Sequence, residues 1–225
     1  MTDAVRTASD ELGMVGIGRV LSPRGVMPQA ADVLDTDPAL RPGEARLRVE
    51  RLNLDAASLR QLRDAHGDDG DAIRSEVLEI IGRRGKMHNP VTGSGGMCIG
   101  TVEELDPASP LHVSVGDRVA TMVSLTLTPL VITDGLRSWD GLSEQVPCAG
   151  YAILFGRTAV ARIPDDLTPE LFLSAIDVCG APALTARTVA GRAADGPVSV
   201  GVFGGAGKSG SLSLAAARGA GADRL

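Results

Sequence analysis

GVFGGAGKSGSLSLAAARGAGADRL, residues 201–225, carries the pattern that decides the fold. Its segment 205–210 reads G-x-G-x-x-G, follows an apolar, β-rich run at 198–203 and precedes an alanine-rich run at 211–218 that favours a helix. A strand, a glycine turn and a helix form the context in which this motif binds the pyrophosphate of a dinucleotide. A Walker A loop is excluded, because Val202 stands where that motif requires a glycine.

The glycine turn supplies the candidate cofactor-binding residues. Glycines let the backbone turn tightly and approach a pyrophosphate, and the N–H groups at the start of a helix meet its negative charge. A turn that only packs a helix on a strand remains the alternative, and two of the residues, Lys208 and Ser209, could equally be ordinary first-turn residues. The predicted phosphate contacts are Gly205, Gly207, Lys208, Ser209 and Gly210.

Composition narrows the class of protein. The net charge of −6 comes without a basic block, which argues against nucleic acid as a partner, and aromatic residues make up only 2% of the chain. No apolar run is long enough to span a bilayer, and the polar residues 1–13 do not resemble a signal peptide, so we expect a cytoplasmic protein without a membrane partner. Cys98, Cys148 and Cys179 are scattered, which predicts buried, reduced thiols.

The first part of the chain reads as a small, mostly β, barrel-like domain. Turn signals at 42–44 and 115–117 precede two of the strand candidates, which lie at 46–52, 97–105 and 118–123. A helical insertion at about 57–86 interrupts the strands, with helical spacing of apolar residues at 57–65 and 72–83. The acidic stretch 66–71 between the helices lacks the spacing of a calcium loop.

After Pro164 the pattern becomes helical. Thr168, Pro169 and Glu170 form an N-cap, a proline at the first helical position and an acidic first turn. Helical spacing runs to about 178 and again over 183–193. The predicted fold class is therefore α/β, with a mostly-β domain at 1–163 and, at 164–225, bridging helices followed by one strand–helix unit.

The order of these elements, together with 42–44, Asn53 and the segment Val115-Gly-Asp-Arg-Val119, resembles the zinc-type alcohol dehydrogenase and quinone reductase superfamily. The resemblance implies a GroES-like catalytic domain followed by a nicotinamide-binding Rossmann domain. Where the zinc enzymes carry their ligands, this chain has Asn53, the triplet Gly95-Gly96-Met97 and Cys179. A zinc site needs three protein ligands, so the resemblance implies a zinc-free branch with no metal.

Three further segments narrow the resemblance. They are 52–58, 86–97 and 123–130, and they are similar to the L-erythro-3,5-diaminohexanoate dehydrogenase family. The resemblance implies NAD-dependent oxidative deamination of the 3-amino group of that diamino acid, in lysine fermentation. It implies NAD as cofactor, although the residue that separates NAD from NADP is absent, and a homo-oligomer when the enzyme is full length.

The resemblance also directs attention to three candidate catalytic residues. Asp55 is the candidate for contact with an amine or for a base, and Lys86 and His88 are candidates for binding a carboxylate or moving a proton, beside a glycine-rich turn whose backbone N–H groups could help. Each residue has an alternative. Asp55 could cap the helix near Ala57, His88 could hydrogen-bond within a turn, and Lys86 could be a cation at a helix end.

The sequence also raises the expectation of an incomplete enzyme. Residues 221–225 read as the beginning of a second strand, whereas a dinucleotide domain usually needs about 150 residues and an acidic ribose contact about 20 residues beyond the motif. We therefore expect this chain to bind NAD poorly unless a C-terminal half is supplied. A truncated product, half of a split enzyme and an incompletely recorded chain remain open.

Overall fold

Strand pairing in the computed structural model, which describes residues 13–225, is centred on one long strand. This strand, β3 (Ala45–Asn53), pairs antiparallel with both β4 (Met97–Leu105) and β7 (Gln145–Leu154). The side chains of Leu47, Val49 and Leu52 are buried, because the apolar residues of β3 face the core. At its end, Asn53 lies opposite Met97 on one side and Gln145 on the other.

The remaining strands extend this sheet or form a small second one. The sheet has six strands in the order β6-β7-β3-β4-β5-β8, all antiparallel. A separate pair, β1 and β2, is also antiparallel. The bounds are β1 (Val20–Ser22), β2 (Val33–Leu34), β5 (Arg118–Thr121), β6 (Leu130–Ile132) and β8 (Val160–Arg162), with short 3₁₀ turns at Ile17–Arg19, Pro28–Ala30 and Leu125–Leu127.

The predicted helical insertion is present between β3 and β4. It consists of α1 (Ala56–His66) and α2 (Gly70–Arg84), and each helix extends one or two residues beyond the predicted ends. The side chains of Asp55 and Asp69 cap the two N-termini, and Gly85 ends α2 in the left-handed conformation. Both helices bury their apolar stripe in the core of the sheet domain, through Leu59, Leu62, Ile73, Val77, Ile80 and Ile81.

The chain divides into two compact units, with the first ending at Asp165 and the second comprising Asp166–Leu225. The second unit contains α3 (Pro169–Ile176), α4 (Gly180–Ala193) and α5 (Lys208–Gly219). As predicted, Thr168 caps α3 by accepting a hydrogen bond from the N–H of Leu171, at 3.3 Å. The helix that was predicted to reach 178 ends at Ile176 instead, and α4 begins three residues before the predicted start at 183.

The predicted strand at 198–203 is wrong in its extent. Among the described residues it is reduced to one parallel bridge between Ser199 and Arg224. The N–H of Val200 donates to the carbonyl of Arg224 at 2.9 Å, and the carbonyl of Val198 accepts from the N–H groups of Arg224 at 3.3 Å and Asp223 at 2.9 Å. A strand needs a continuous partner, and the described partner segment is only two residues long, so apolar, β-branched composition alone does not produce a ladder.

The helix after the glycine turn also differs from the prediction. It begins at Lys208 rather than at 211, so three glycine-loop residues, Lys208, Ser209 and Gly210, belong to the helix itself. With these corrections the predicted fold class is confirmed as α/β: a mostly-β unit with a helical insertion, followed by helices and the glycine turn.

Candidate functional site

Asp55 lies between the end of β3 and the first turn of α1. Its Oδ1 atom accepts hydrogen bonds from the N–H groups of Ala57 at 3.0 Å and Ser58 at 3.1 Å, so the capping role left open by the sequence is observed. Its Oδ2 atom is buried and has no hydrogen-bond partner among the described residues. A buried polar atom without a partner is costly, so the hydrogen bonding of this carboxylate is incomplete in the structure.

The ionisation of Asp55 reflects two opposing effects. Burial by itself raises the pKa of the carboxyl, but it is outweighed by the nearby hydroxyls of Ser58 and Ser94, although neither donates a hydrogen bond to Oδ2 in the structure, and by the two capping N–H groups; the pKa therefore lies below its ordinary value. Asp55 is therefore a carboxylate at neutral pH and a weak base. This ionisation suits binding of a cation better than removal of a proton.

A loop after α2 lies against α1 close to Asp55. The Ser58 hydroxyl is 2.6 Å from the Thr92 hydroxyl, and Nδ2 of Asn89 donates to Oε1 of Gln61 at 2.8 Å. Sequence reasoning missed these contacts with α1. The only local signal was the density of hydroxyl and amide residues around 89–94, which is also typical of an ordinary turn.

The N–H groups of this loop are already used. Val91 and Thr92 donate to Oδ1 of Asn89, Gly93 donates to the carbonyl of Asn89, and Ser94 donates to the Thr92 hydroxyl. The expectation that N–H groups of the glycine-rich turn help to bind a carboxylate is therefore wrong for these four residues.

Lys86 lies inside the first unit. Its side chain is fully buried, and Nζ donates to the carbonyls of Pro28 at 2.7 Å and Gln29 at 3.4 Å. This geometry anchors the 3₁₀ turn at Pro28–Ala30 to the end of α2. Burial and the nearby Arg84 lower the pKa of the ammonium to about 8, against a smaller opposing effect of Asp32. A role for Lys86 in binding a carboxylate remains a prediction.

The lowered pKa of Lys86 predicts a pH-dependent stability. Between pH 8 and 10.5 the unfolded chain binds more protons at this lysine than the folded chain, so the free energy of unfolding rises with pH in that window. We expect a gain of roughly 1–2 kcal/mol, less than the full shift implies because the carbonyls of Pro28 and Gln29 stabilise the charged form in the folded state. Urea unfolding of the wild type and Lys86→Met measures it. If the free energies of unfolding of the two proteins change with pH in the same way, the prediction is contradicted.

His88 follows in the loop after α2. Its carbonyl accepts from Nη1 of Arg84 at 3.0 Å, while its Nδ1 atom is buried and lacks a hydrogen-bond partner in the part of the chain that the structure describes. Burial, followed by the cations Arg84 and Lys86, lowers the pKa of the imidazole against the opposing charge of Asp32. The ring is therefore neutral at pH 7 and able to accept a proton.

Two of the positions compared with zinc ligands meet at the end of β3. A Cβ atom on Gly96, which has a φ of +75°, would lie 2.9 Å from the carbonyl carbon of Asn53. The backbone of Gly96 therefore packs directly against that of Asn53, at the place where the resemblance puts zinc ligands. The Asn53 amide is used internally, since its Oδ1 accepts from Nε2 of Gln145 at 2.8 Å and its Nδ2 donates to the carbonyl of Leu54 at 3.2 Å.

Residues 13–225 hold the three cysteines and side chains that could bind a metal ion. No group of three or more His, Cys, Asp and Glu side chains in that range is arranged to hold a metal ion. Cys98 is buried as predicted, whereas Cys148 and Cys179 are half-buried. Burial raises the pKa of the Cys98 and Cys148 thiols to about 12, which leaves both unreactive at neutral pH.

The glycine turn of the second unit has the packing expected of a dinucleotide loop. Gly207 is the N-cap of α5, and no side chain caps the helix there, so its first-turn N–H groups face outward without a side-chain acceptor. Gly210 packs on the turn itself, because a Cβ at this position would lie 2.7 Å from Cα of Gly205 and even closer to the carbonyl oxygen of Gly204. This close packing is the role of the third glycine of the motif.

Lys208 and Ser209 lie in the first turn of α5. The ammonium of Lys208 is 4.0 Å from a carboxylate oxygen of Asp177, which follows α3. The lysine thus already has an acidic neighbour within its own unit. Both residues stay candidates for phosphate contact, because they are at the helix N-terminus where N–H groups and the dipole favour an anion.

The packing at Gly210 predicts a destabilising Gly210→Ala substitution. Alanine normally favours a helix over glycine, but here its Cβ collides with backbone that cannot rotate away, so we expect a loss of about 1–3 kcal/mol. Gly219→Ala in the same helix is the control, because nothing lies within 4 Å of its Cβ. Hydrogen exchange of the α5 amides measures both. Equal protection in the two variants would contradict the prediction.

The chain matches a known family over most of the first unit. The model of the L-erythro-3,5-diaminohexanoate dehydrogenase N-terminal domain matches residues 18–164. In addition, no helix among residues 13–225 is both long enough and apolar enough to cross a membrane.

Two curated relatives bear the same name, L-erythro-3,5-diaminohexanoate dehydrogenase. The protein of Acetoanaerobium sticklandii is 43% identical over 199 residues, which is 88% of this chain and 56% of the relative. The protein of Fusobacterium nucleatum subsp. nucleatum is 42% identical over 199 residues, with the same coverage. The chain thus spans little more than half the length of these relatives.

Solved structures resemble the chain only weakly. An alcohol dehydrogenase from Pyrobaculum aerophilum with cobalt and zinc bound is 20% identical, covers 84% of this chain and 53% of its own, and has a TM-score of 0.41. A quinone oxidoreductase of Pseudomonas syringae pv. Tomato DC3000 is 18% identical, covers 88% of this chain and 48% of its own, and has a TM-score of 0.40.

Proposed function

Because the chain belongs to the L-erythro-3,5-diaminohexanoate dehydrogenase family, we propose that it supplies the substrate-binding domain and the pyrophosphate-binding loop of such an enzyme. The reaction is oxidative deamination of the 3-amino group of L-erythro-3,5-diaminohexanoate, with NAD as the acceptor. Its products are 5-amino-3-oxohexanoate, ammonia and NADH. The proposed setting is lysine degradation in the cytoplasm, with the small diamino acid as the binding partner.

The observation that carries the proposal is the Oδ2 atom of Asp55. It is buried, ionised and without a hydrogen-bond partner among the described residues. An ammonium group of the substrate would supply the missing donor and a compensating charge, and charge-assisted hydrogen bonds of this kind are about twice as strong as neutral ones. We propose that Asp55 holds one ammonium of the diamine, and that Ser58 and Ser94 keep the carboxylate ionised.

The chemistry requires hydride loss, proton loss and hydration. C3 loses a hydride and its ammonium nitrogen loses one proton, which gives a protonated imine. Water then adds, and ammonium leaves as the carbonyl forms. The balance is one ammonium substrate, one NAD⁺ and one water to one ketone, one ammonium ion, one NADH and one proton. The nicotinamide, when bound, accepts the hydride.

His88 is the better candidate for moving the protons. The pKa values of both groups are lowered, but the ordinary pKa of an imidazole lies well above that of a carboxyl, so neutral His88 is the stronger base of the two. Lys86 is the weaker candidate for the substrate carboxylate, because its ammonium already donates to Pro28 and Gln29. We therefore propose Asp55 for binding and His88 for proton transfer.

The glycine turn is compatible with a dinucleotide. Its glycines have no side chains where a pyrophosphate would approach the backbone. The first turn of α5 presents N–H groups that no side chain caps. We propose that Gly205, Gly207, Lys208, Ser209 and Gly210 hold the cofactor phosphates. The completed enzyme is proposed to be a homo-oligomer that binds neither nucleic acid nor membrane.

The test is NADH formation with L-erythro-3,5-diaminohexanoate and NAD. The 225-residue chain is assayed beside a version joined to the remaining C-terminal part of the Acetoanaerobium sticklandii relative. Activity in the joined version supports the proposal, and activity in that version alone also supports a chain that depends on a partner segment. A joined protein that folds and binds NAD but turns over no diamine shows that the substrate is wrong. That result would favour a different function, as another zinc-free oxidoreductase of this superfamily.

A further inference from the structure

The loop at 89–94 is closed on itself by Asn89. Its N–H donates to the carbonyl of Ser94 at 2.8 Å, and its carbonyl accepts from the N–H of Gly93 at 2.9 Å. Its Oδ1 atom accepts from Val91 and Thr92, at 2.8 and 3.2 Å. Asn89 is fully buried, so these bonds are shielded from competing water and hold the loop in one shape.

Two side-chain contacts tie this closed loop to α1. Nδ2 of Asn89 donates to Gln61, and the Thr92 hydroxyl meets the buried Ser58 hydroxyl. Ser58 and Gln61 are three residues apart and so are neighbours on one helix surface. The two contacts are therefore adjacent, and together they fix both the orientation of the loop on α1 and its distance from the helix.

The Oδ2 atom of Asp55 is buried next to the same helix and loop. Oδ1 of Asp55 accepts a hydrogen bond from the N–H of Ser58, whose side chain makes one of the two contacts with the loop. The Ser94 hydroxyl, at the end of the loop, helps to keep the carboxylate ionised. The Thr92 hydroxyl accepts a hydrogen bond from the N–H of Ser94 at 3.3 Å. The same hydroxyl therefore contacts both Ser58 on α1 and Ser94 beside the carboxylate.

We propose that Thr92 and Asn89 are positioning residues, which hold the loop on α1 so that Oδ2 of Asp55 stays enclosed and oriented for an ammonium group. The consequence for catalysis rests on the function proposed above, but the positioning itself is a property of this chain. A site whose polar groups are held in place before the ligand arrives binds more tightly, because ordering those groups costs nothing further on binding.

The first arm of the test needs no substrate. Thr92→Val keeps the shape of the side chain but removes the oxygen that contacts Ser58 and Ser94, whereas Thr92→Ser keeps that oxygen. We expect Thr92→Val to raise the pKa of Asp55, because the Ser94 hydroxyl, which opposes the effect of burial, is no longer held beside the carboxylate once the loop loses its contact with Ser58. Thr92→Ser should leave the pKa as in the wild type. Carboxyl NMR titration of the 225-residue chain measures the pKa.

The same arm includes a structural measurement and an external control. We expect the Gly93 and Ser94 amides to exchange with solvent about tenfold faster in Thr92→Val, because the loop opens locally. Thr133→Val removes a hydroxyl that binds the carbonyl of Ala149 on β7, and should leave the Asp55 titration unchanged. Identical Asp55 titrations in the wild type and Thr92→Val overturn the inference, whatever the exchange rates are.

The second arm links the loop to ligand binding by calorimetry with 3,5-diaminohexanoate. Thr92→Val should weaken binding about fivefold in the wild-type background and have no further effect in Asp55→Asn, because it acts through that carboxylate. Additive losses show that Thr92 acts independently of Asp55 and overturn the inference. If the wild-type chain binds no diamine, the proposed function fails at this domain, and the titration arm still decides the positioning role.

Discussion

We expect Asp55→Asn to lower the proposed turnover of 3,5-diaminohexanoate at least about tenfold in the version joined to the C-terminal part of the Acetoanaerobium sticklandii relative. The substitution removes the negative charge that faces the ammonium and replaces one oxygen by an NH₂ group, which cannot accept from it. Losing a hydrogen bond between charged groups costs about 1.5–3 kcal/mol, and 1.4 kcal/mol corresponds to a factor of ten in rate. The assay is steady-state NADH formation at several substrate concentrations.

Asparagine is the informative replacement because Asp55 has two roles. Its Oδ1 caps α1, and asparagine caps helices about as well as aspartate does, so the free energy of unfolding should change by less than about 0.5 kcal/mol. Asp55→Ala would remove the cap as well, at about 1 kcal/mol. A rate loss in Asp55→Asn without a stability loss therefore separates the charge from the cap.

The structure offers a matched control in the second helix of the insertion. Asp69 caps α2 with the same geometry, since its Oδ1 accepts from the N–H groups of Asp71 and Ala72 at 3.1 and 3.0 Å. Asp69→Asn should leave both turnover and stability near the wild type. Unchanged kinetics in Asp55→Asn, or an equal loss in Asp69→Asn, would remove Asp55 from the binding site.

Local sequence signals predicted those elements whose causes are local. Asp55 and Asp69 precede alanine-containing, periodic segments, and both are N-caps of the predicted helices. The strand predicted at 97–105 has the bounds found in the structure. Capping, alternation and helical spacing act within a few residues, so one sequence is enough to detect them.

Features that depend on distant partners were not predictable in this way. Lys86 read as a cation at a helix end, but its side chain turns inward to carbonyls 57 and 58 residues away. The run at 198–203 read as a strand, yet its pairing depends on residues 223–224. Likewise, no local pattern connects Thr92 to Ser58, so the contact between the loop and α1 beside Asp55 only becomes visible in the fold.

Arg19 and Glu44 illustrate the same limit and carry the second large prediction. Glu44 read as part of a turn signal, but its carboxylate forms a bidentate pair with Arg19, at 2.9 and 2.6 Å, with the two side chains only 0% and 2% exposed. Arg19 also donates to the carbonyls of Asp37 and Ala39, at 2.6 and 2.7 Å. The pair therefore fixes the turn before β3, the strand from which Asp55 follows.

Arg19→Met should destabilise the protein by about 3–5 kcal/mol, because it leaves Glu44 buried without its counter-charge and two carbonyls without a donor. Urea unfolding of the 225-residue chain measures the change. Arg63→Met provides the matched control, since the Arg63–Asp68 pair is 46% and 67% exposed and should contribute less than about 1 kcal/mol.

The double variant Arg19→Met/Glu44→Leu separates a buried charge from a specific need for the ion pair. Replacing both partners removes the desolvation of two charges, so most of the loss in Arg19→Met should be recovered. If the double variant is as stable as the wild type, the unpaired Glu44 carboxylate causes the whole loss of stability in Arg19→Met. No recovery would mean that the penalty comes from the carbonyls of Asp37 and Ala39, and that Arg19 stabilises this turn chiefly as a donor to the backbone.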